Sequence, residues 1–566
     1  MRAETRKQKT VSRRQNILRL LPAACRLLLN ALRFLPTAYC LLPSALCLLS
    51  LLLTGCASIS GTERDSRANN EIRLAYINDV STLDPVNAGD AYSFMLIDCL
   101  FDGLVGFDGK MQVIPRIAEQ WEVSDDQRNF VFHLRKGVRF HNGREVTATD
   151  VKYSIERLLA ARSGYAEYYS AIVGAREIIA GKERGAAPGI IARDRYTVEF
   201  RLVEPQALFL SVMAMPPASI VPREEVERWG EDFSFHPVGS GPFRFVQWLR
   251  DQRIVIQRND DYFQPDSKRV SRVIIAVGYG KQLQTMKLER GELDAIFELS
   301  PPVYRAMIED PYWKSRVKTK PSLALRILTM NTEMPPFDRR AVRQAVCYAI
   351  NRERLCLLLN NLPRPARGII PQGLPGFDPD TRGYQHDPER ARALLREAGF
   401  ENGFETELIF SAAPISTRVA EAIQRDLAGV GITVKMRPLA YATLIEIQSR
   451  RGGAAMSLNS WAPSYPDPDD FLYPLFSSRS ISDTGSLNWS FYSNPEFDKL
   501  VERGRIVSPG QERDSLYRRA EQILLEDAPA AFLFWEADAV VGAPGLLGYE
   551  PYHSWPFDLR AIHWER

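Results

Sequence analysis

The pattern of hydrophobic and polar positions alternates between two periods along most of the chain. Alternation with a period of two residues predicts strands at residues 130–134, 197–202, 254–258 and 273–277. Other stretches place apolar residues on one face of a helix, with a period of about 3.6 residues. Because both periods recur throughout residues 71–566, the sequence predicts a mixed α/β fold.

Three of the predicted helices have well-marked ends. Thr147 and Asp150 form a capping-box pattern ahead of an apolar stripe, which predicts a helix that begins there. Asp338 is predicted to cap a second helix, whose apolar stripe runs through residues 342–350. Asp387 is followed by a proline and predicts the start of a third helix, which ends at Gly399.

The N-terminal segment has the pattern of an export signal. Six Lys and Arg residues lie within the first 14 positions, and the apolar stretch that follows ends in Leu53-Thr54-Gly55-Cys56. These four residues resemble a bacterial lipobox, which predicts that residues 1–55 are removed and that Cys56 carries lipid. A transmembrane helix is the alternative, although three prolines interrupt the stretch. Residues 56–70 are rich in Ser, Asn and charged residues and predict a tether.

Charge and cysteine usage narrow the class of protein. The chain has a formal net charge of +3, but residues 1–55 hold nine basic residues and one acidic residue, so 63 basic and 68 acidic residues remain. This mildly acidic remainder lacks the excess of basic residues that nucleic-acid binding requires. Beyond the predicted signal and Cys56, the cysteines are Cys99, Cys347 and Cys356, and no CxxC pair occurs. Buried free thiols are predicted, with a Cys347–Cys356 bridge as the alternative.

Sequence patterns of catalysis are missing from the chain. There is no HExxH, GxSxG, GxxxxGK[ST] or helix-opening GxGxxG pattern, and no two of the six histidines have the spacing of a zinc site. The sequence therefore predicts a protein that is not an enzyme and that needs no cofactor and no metal. The acid pairs Asp125-Asp126 and Asp469-Asp470 are interpreted as helix caps or solvated surface.

The segment 461–471, WAPSYPDPDDF, is the densest unusual stretch of the body. Its three prolines stiffen the chain, while Trp461 and Tyr465 offer flat amphipathic surface, so the segment predicts a ligand pocket. The alternative is structural: Trp461 and Tyr465 belong to the core, and Asp467 or Asp469 caps the helix that follows.

Several segments together resemble one known family, and they occur in family order. The resemblance is to the family 5 extracellular solute-binding proteins, the oligopeptide-, dipeptide- and nickel-binding receptors of ABC importers. It rests on Leu83-Asp84-Pro85, on the segments at 101–104, 115–159, 238–243, 336–345 and 387–395, and on 461–471.

The resemblance implies a periplasmic-binding-protein fold of type II, in which two lobes close on a hinge around a ligand. Carried onto this chain, lobe I comprises residues 71–110, 237–320 and 537–566, with an inserted subdomain at 111–236. Lobe II comprises residues 321–536. The two chain crossings between the lobes are expected near 327–331 and 530–535.

The function implied by the resemblance is that of a monomeric receptor outside the cytoplasm, anchored to the membrane through Cys56. It would capture a small solute and deliver it to the permease and ATPase subunits of an ABC importer. A peptide is the first expectation for the solute, and a metal chelate or an oligosaccharide is the alternative. Two other readings stay open: a sensor or adhesion lipoprotein on the same fold, and an exported hydrolase with Ser464 as nucleophile, for which no nearby histidine supplies a base.

The family pattern also implies where the ligand lies. In peptide-binding relatives, an aspartate at the position of Ser464 pairs with the α-ammonium group of the peptide. A hydroxyl cannot supply that charge. Asp467, three residues on, is the candidate to replace it, although its position matches a helix cap of the family as well as a ligand. In lobe I the loop 87–92 is predicted to face the ligand, with Asp90 as its charged candidate. The alternative is that Asp90 is a solvated turn residue. The predicted ligand-binding residues are Trp461, Ser464, Tyr465, Asp467, Asp90 and Ala91.

Overall fold

A computed structural model describes residues 67–161, 164–182, 186–266, 269–551 and 558–565. The predicted export signal and Cys56 lie outside these residues. The last four residues of the predicted tether, 67–70, form a turn that is bonded to the body: the Arg67 guanidinium donates to the carbonyl of Glu565, and the Ser271 hydroxyl donates to the carbonyl of Asn70. None of the helices described is long and apolar enough to span a membrane.

The first sheet is built from one strand of the first segment of predicted lobe I and three strands of its second segment. Its helix, Ala91–Leu100, buries Phe94, Leu96, Ile97 and Leu100 in the same hydrophobic core as the strands. The first two strands of the sheet are parallel and the others antiparallel. In spatial order they are Glu71–Tyr76, Arg272–Val277, Arg253–Arg258 and Phe243–Leu249.

A second, antiparallel sheet lies within the predicted inserted subdomain. The helix Ala148–Ala160 begins at the predicted capping box, where the Thr147 amide donates to the Asp150 carboxylate at 2.9 Å. Its apolar stripe is fully buried in a core shared with the sheet, since an amphipathic helix is stable only when that stripe is covered. The strands, in spatial order, are Ala118–Val123, Asn129–Leu134, Thr197–Arg201 and Ile190–Ala192.

The largest sheet has seven strands and is organised by two long ones. Val317–Met330 and Ala530–Gly542 pair antiparallel along most of their lengths. At one end Ala530–Gly542 pairs with Ala295–Ile296, and toward the other end Val317–Met330 pairs with Met456–Trp461. The sheet is completed by Phe404–Ser411, Ile432–Leu439 and Arg364–Pro365.

Helices cover both faces of the lobe II part of this sheet. A hydrophobic core lies on each face. The first four residues of Ala530–Gly542 alternate between these two cores, with Ala531 and Leu533 in one and Ala530 and Phe532 in the other. The first core includes residues of helices Arg340–Ala349, Pro388–Glu397 and Pro414–Ala428. The second includes residues of helices Asp469–Phe476, Pro495–Ile506 and Gln511–Asp527.

The remaining elements are short. The helices are Ala175–Ile179, Phe209–Met213, Arg223–Trp229, Lys281–Glu289, Pro301–Glu309, Pro311–Lys314, Arg352–Leu358 and Tyr441–Gln448. The strands are Val105–Phe107, Val113–Pro115, Leu546–Leu547 and His563–Trp564.

Most of the local predictions are confirmed. All four predicted strands form, with ends that differ by at most one residue. Asp387 caps its helix by accepting from the amide of Arg390, and Gly399 follows the helix with φ of +78°. The prediction for Asp338 is wrong, because the helix begins one residue later and Arg339 occupies the N-cap position. The three described cysteines, at 99, 347 and 356, are free and buried, as predicted.

Candidate functional site

Trp461 ends the strand Met456–Trp461 and is anchored inside lobe II. Its indole N–H donates to the backbone carbonyl of Asp470 at 2.8 Å, and its ring stands edge-on to Trp489 with the centroids 5.8 Å apart. The side chain is half-buried against the core of helices that follow it in sequence. Trp461 therefore packs against these helices, and its contact with a ligand stays a prediction.

Asp467 lies in a buried ion pair within lobe II. Two guanidinium nitrogens of Arg513 each lie 2.8 Å from a carboxylate oxygen of Asp467, and one of these oxygens also accepts from the Asp469 amide. Both side chains are almost completely buried. Asp467 thus accepts from the first residue of helix Asp469–Phe476, but Pro468 and not Asp467 occupies the N-cap position. The charge of Asp467 is neutralised inside the protein.

The interpretation of Asp469 and Asp470 as caps or solvated surface is wrong. They are the first two residues of the helix, after Pro468 at the N-cap position, and both are 1% exposed. The Tyr465 hydroxyl donates to the Asp469 carboxylate at 2.8 Å, and the Ser464 amide donates to the Asp470 carboxylate at 2.5 Å. Burial raises the pKa of both carboxyls, that of Asp470 well above the ordinary aspartate value. These acids fix the backbone of the loop on which Ser464 and Tyr465 lie.

Ser464 and Tyr465 contact the predicted inserted subdomain. The Tyr168 hydroxyl donates to the Ser464 hydroxyl at 3.1 Å, and the Tyr168 ring stands edge-on to Tyr465 at 5.9 Å. Tyr465 is buried in a small cluster with Leu208 and Met215. The hydroxyl at the position that carries an aspartate in peptide-binding relatives is therefore engaged by a tyrosine of the chain itself.

Asp90 and Ala91 lie at the start of helix Ala91–Leu100. Asp90 is the N-cap: its carboxylate accepts from the amide and the hydroxyl of Ser93, at 2.9 and 2.6 Å, and from the hydroxyl of Ser81 at 2.6 Å. Burial alone would raise the pKa of Asp90, but these hydrogen bonds outweigh it and the pKa is lowered. Ala91 is exposed as the first residue of the helix.

A row of aromatic rings connects the Asp90 helix with the loop of Tyr465. Phe94 on that helix stands edge-on to Tyr165 at 5.5 Å, and Tyr165 stacks on Tyr168 at 6.1 Å. Burial raises the pKa of Tyr165, and the charges of Asp470 and Asp90 raise it further. The two predicted ligand-facing segments, although about 370 positions apart in the chain, are brought to the same region.

A cavity of about 690 Å³ lies near both segments, although none of the six predicted ligand-binding residues lines it. On one side the Tyr92 hydroxyl, next to Ala91, donates to Glu298 at 3.0 Å, and on the other the Ser460 hydroxyl, next to Trp461, donates to Glu536 at 2.9 Å. The wall combines residues of predicted lobe I, residues of lobe II and the long strand Ala530–Gly542. Its charged residues are Lys281, Glu298, Arg326, Arg418, Glu536 and Asp538.

The cavity wall pairs most of its charges. Lys281 lies 3.1 Å from Glu298, and Arg326 lies 3.0 Å from Glu536. These residues could not be recognised as a site from the sequence, because they are scattered over more than 200 positions and carry no motif. The one signal is the alternation of Phe534, Glu536 and Asp538 in an apolar strand, which indicates polar groups on one face.

The structure has two further cavities. One of about 800 Å³ is lined by residues 352–386 and Trp535, all within predicted lobe II. The other, of about 190 Å³, lies near Tyr304 and Gln372 and shares Leu362, Glu536 and Ala537 with the cavity of about 690 Å³. Like that cavity, neither is lined by residues of the segments predicted to face the ligand. In the part of the chain that the structure describes, no group of three or more His, Cys, Asp or Glu side chains is placed to hold a metal ion.

The fold and the cavity define a periplasmic-binding-protein architecture of type II, and comparisons with known proteins agree. The chain is 30% identical over 456 residues to the dipeptide-binding protein of Escherichia coli K12, which covers 77% of this chain and 83% of that protein. It is 28% identical to the glutathione-binding protein GsiB of Shigella dysenteriae, over 85% of this chain and 92% of that protein.

A solved structure has the same fold. The periplasmic binding protein DppA from Helicobacter pylori, in complex with the peptide STSA, superposes with a TM-score of 0.73 at 26% identity, over 88% of this chain and 98% of that one. Residues 112–483 match the family described as "Bacterial extracellular solute-binding proteins, family 5 Middle". The chain therefore belongs to the family 5 extracellular solute-binding proteins of ABC importers, and its relatives named here are binding proteins rather than enzymes.

Proposed function

We propose that this protein is the lipid-anchored receptor of an ABC importer and that it captures a peptide-like solute in the cavity of about 690 Å³. The observation that carries the proposal is the composition of the cavity wall, to which both predicted lobes and a long strand between them contribute. A site built from both lobes favours the closed state only when the ligand contacts both, which is how a hinged receptor couples capture to closure.

The size and polarity of the cavity suit a short peptide or a molecule of similar size. Its volume lies within the range of roughly 300–1,000 Å³ that is typical of small-molecule sites. Two relatives are a dipeptide-binding and a glutathione-binding protein, and a third was solved with the peptide STSA. In this chain Ser464 and Asp467 are both engaged within the protein, so we propose that the ligand's charges are met at the cavity wall.

The contacts of Tyr465 support closure as a part of the function. Tyr465 and Ser464 on lobe II pack against Tyr168 and Leu208 of the predicted inserted subdomain, and the Ala207 amide donates to the carbonyl of Arg505. We propose that Trp461, Ser464, Tyr465, Asp90 and Ala91 frame the entrance of the site in this closed arrangement. Contacts of this kind stabilise one domain arrangement over another.

The anchor rests on the N-terminal pattern. The proposal is that Cys56 becomes the lipid-modified first residue, that residues 57–66 hold the body near the membrane, and that a single chain meets the permease from the extracytoplasmic side. Intact mass of the membrane-extracted protein should match a chain that begins at an acylated Cys56. Cys56→Ser should release the protein to the soluble fraction, and a Cys56→Ser protein that stays in the membrane would contradict the anchor.

Native mass spectrometry of the purified protein tests the proposed solute. We expect a bound peptide-like molecule, and we expect it to be recovered chemically unchanged after long incubation. A bound molecule of another class would contradict the ligand, and a molecule released in altered form would favour the hydrolase alternative.

A pair of neighbouring variants tests the location of the site. Ala413 lines the cavity, whereas Ala412 beside it does not, and both residues are exposed. Ala413→Trp should fill the cavity and weaken binding of the identified solute at least about tenfold, while Ala412→Trp should leave binding unchanged. Both affinities are measured by isothermal titration calorimetry. Equal affinities in the two variants would place the ligand elsewhere.

A further inference from the structure

Asp538 lies on the long strand Ala530–Gly542 and lines the cavity together with Phe534 and Glu536, which occupy alternate positions of the same strand. Alternate residues of a strand project from one face of the sheet. The side chain of Asp538 is partly buried, and the Ser322 hydroxyl is its hydrogen-bonding partner. Its carboxylate therefore belongs to the wall that a solute would touch.

The other charged groups of the wall have partners or stand apart from Asp538. Glu298 pairs with Lys281, and Glu536 pairs with Arg326. Lys320, the cross-strand neighbour of Asp538, donates instead to the backbone carbonyl of Gly109, and Arg418 is exposed at the start of helix Pro414–Ala428. Across the described ranges, no cationic nitrogen lies within 4.0 Å of the Asp538 carboxylate.

Two acidic neighbours increase the cost of charging Asp538. Burial, followed by the charges of Glu536 and Glu298, raises the pKa of Asp538 to about 7. A carboxylate without a counter-charge makes the empty protein less stable than an uncharged isostere would. Such a cost is common at binding sites, where the missing partner is supplied by the ligand.

We propose that Asp538 is a specificity-determining residue that pairs with a cationic group, an ammonium or a guanidinium, of the captured solute. The inference rests on the proposed function and narrows its substrate class to solutes with a positive charge that can reach Asp538 in the cavity wall. The carboxylates of Glu298 and Glu536 reinforce the negative potential around that group, while their own partners hold them in place.

The test compares matched peptide probes on the wild type and on Asp538→Asn. The probes are Ala-Lys-Ala and Ala-norleucine-Ala, each with a free and with an acetylated N-terminus, so that the positive charges are removed one at a time. We expect the wild type to bind at least one charged probe, and the fully neutral probe at least about tenfold more weakly. Asp538→Asn should weaken binding of the preferred charged probe by about tenfold and reduce the discrimination against the neutral one.

The dependence on pH gives a second readout. Because the carboxylate of Asp538 is ionised only above a pKa of about 7 in the empty protein, affinity for the preferred charged probe should fall about tenfold between pH 8 and pH 5.5. Asp538→Asn should lose most of this dependence. Asp261→Asn removes a carboxylate that is 80% exposed and paired with Arg244, and it should behave as the wild type.

The outcomes separate this inference from the proposed function. If the wild type binds the probes and Asp538→Asn binds them equally well, the inference is wrong and the proposed function stands. If the wild type prefers the neutral probe, the inference is also wrong. If the wild type binds no probe and carries no solute when purified, the proposed function fails, and the inference fails with it. Thermal unfolding of Asp538→Asn without ligand checks folding, and its midpoint should not fall below that of the wild type.

Discussion

Carboxylates are buried both in the loop of Asp467, Asp469 and Asp470 and in the cavity wall that contains Asp538. The two regions differ in the groups that surround these carboxylates. In the loop two of the carboxylates have a cation beside them: Asp467 pairs with Arg513, and Asp469 lies 3.5 Å from Arg505. Asp470 has no cation but is enclosed at 1% exposure, where it accepts from the Ser464 amide. In the wall Asp538 has a serine hydroxyl and two acidic neighbours. The contrast teaches that a dense run of acids can be entirely structural, whereas one acid in an apolar strand can be available to a ligand.

Asp467→Ala should have the largest effect, since it leaves the buried guanidinium of Arg513 without its partner. Breaking a buried ion pair from one side costs about 3–5 kcal/mol. We expect a loss of that size in the free energy of unfolding, measured in urea, while the fraction that remains folded keeps its solute affinity.

The exposed Asp261 provides the control for that variant, because Asp261→Ala should change stability by no more than about 0.5 kcal/mol. A stable Asp467→Ala protein with weakened solute binding would contradict the comparison and would show that Asp467 contacts the ligand.

Tyr465→Ala should rank second. Tyr465 is 5% exposed and packs against Leu208, Met215 and Tyr168. Truncation of a buried aromatic residue at this interface should cost about 2–3 kcal/mol, below the value for a fully enclosed core residue. Because these contacts join lobe II to the predicted inserted subdomain, part of the loss should appear as weaker solute binding and as a larger radius of gyration in small-angle X-ray scattering. An unchanged radius of gyration and affinity would make Tyr465 a purely structural residue.

The fold was predictable wherever its signals are local. The Thr147–Asp150 box and the Asp387 cap each use groups three residues apart, so they can be read directly from the sequence, and they occur in the structure. The prediction that Asp338 caps its helix was wrong because the helix begins one residue later, with Arg339 at the N-cap position. A helix start defined by one acid without a reciprocal partner fixes the boundary only loosely.

The candidate site was less predictable because its contacts are long-range. The aromatic and acidic composition of 461–471 indicated a pocket, yet Asp467 is neutralised by Arg513, which lies 46 positions away. Asp538 is separated from Glu298 by 240 positions, and neither belongs to a motif. No periodicity reports which of several acids has a cation beside it, because that depends on tertiary packing.

Asp538→Asn should change the free energy of unfolding less than Asp467→Ala and Tyr465→Ala, and it should increase it. The pKa of Asp538 in the folded protein, about 7, lies above the ordinary aspartate value, so this group's contribution to stability is greatest at low pH and is lost as the pH rises toward 7. At pH 8 the asparagine variant should be more stable than the wild type by about 1 kcal/mol, after allowance for the partial exposure of the side chain. The difference should shrink at pH 5. A loss of stability at pH 8 would mean that the carboxylate has a stabilising partner.

Tyr168→Phe should have the smallest effect, since it removes a single hydrogen bond, the one to Ser464. Loss of such a bond costs about 0.5–1.5 kcal/mol. Here the loss should destabilise the closed arrangement and weaken solute binding a few-fold, as measured by calorimetry. Tyr196→Phe is the matched control: its hydroxyl donates to Glu145 within the predicted inserted subdomain, at the same distance of 3.1 Å. Equal affinities for the two variants would show that the bond between Tyr168 and Ser464 does not contribute to closure, and the aromatic packing around Tyr465 would then carry that contact alone.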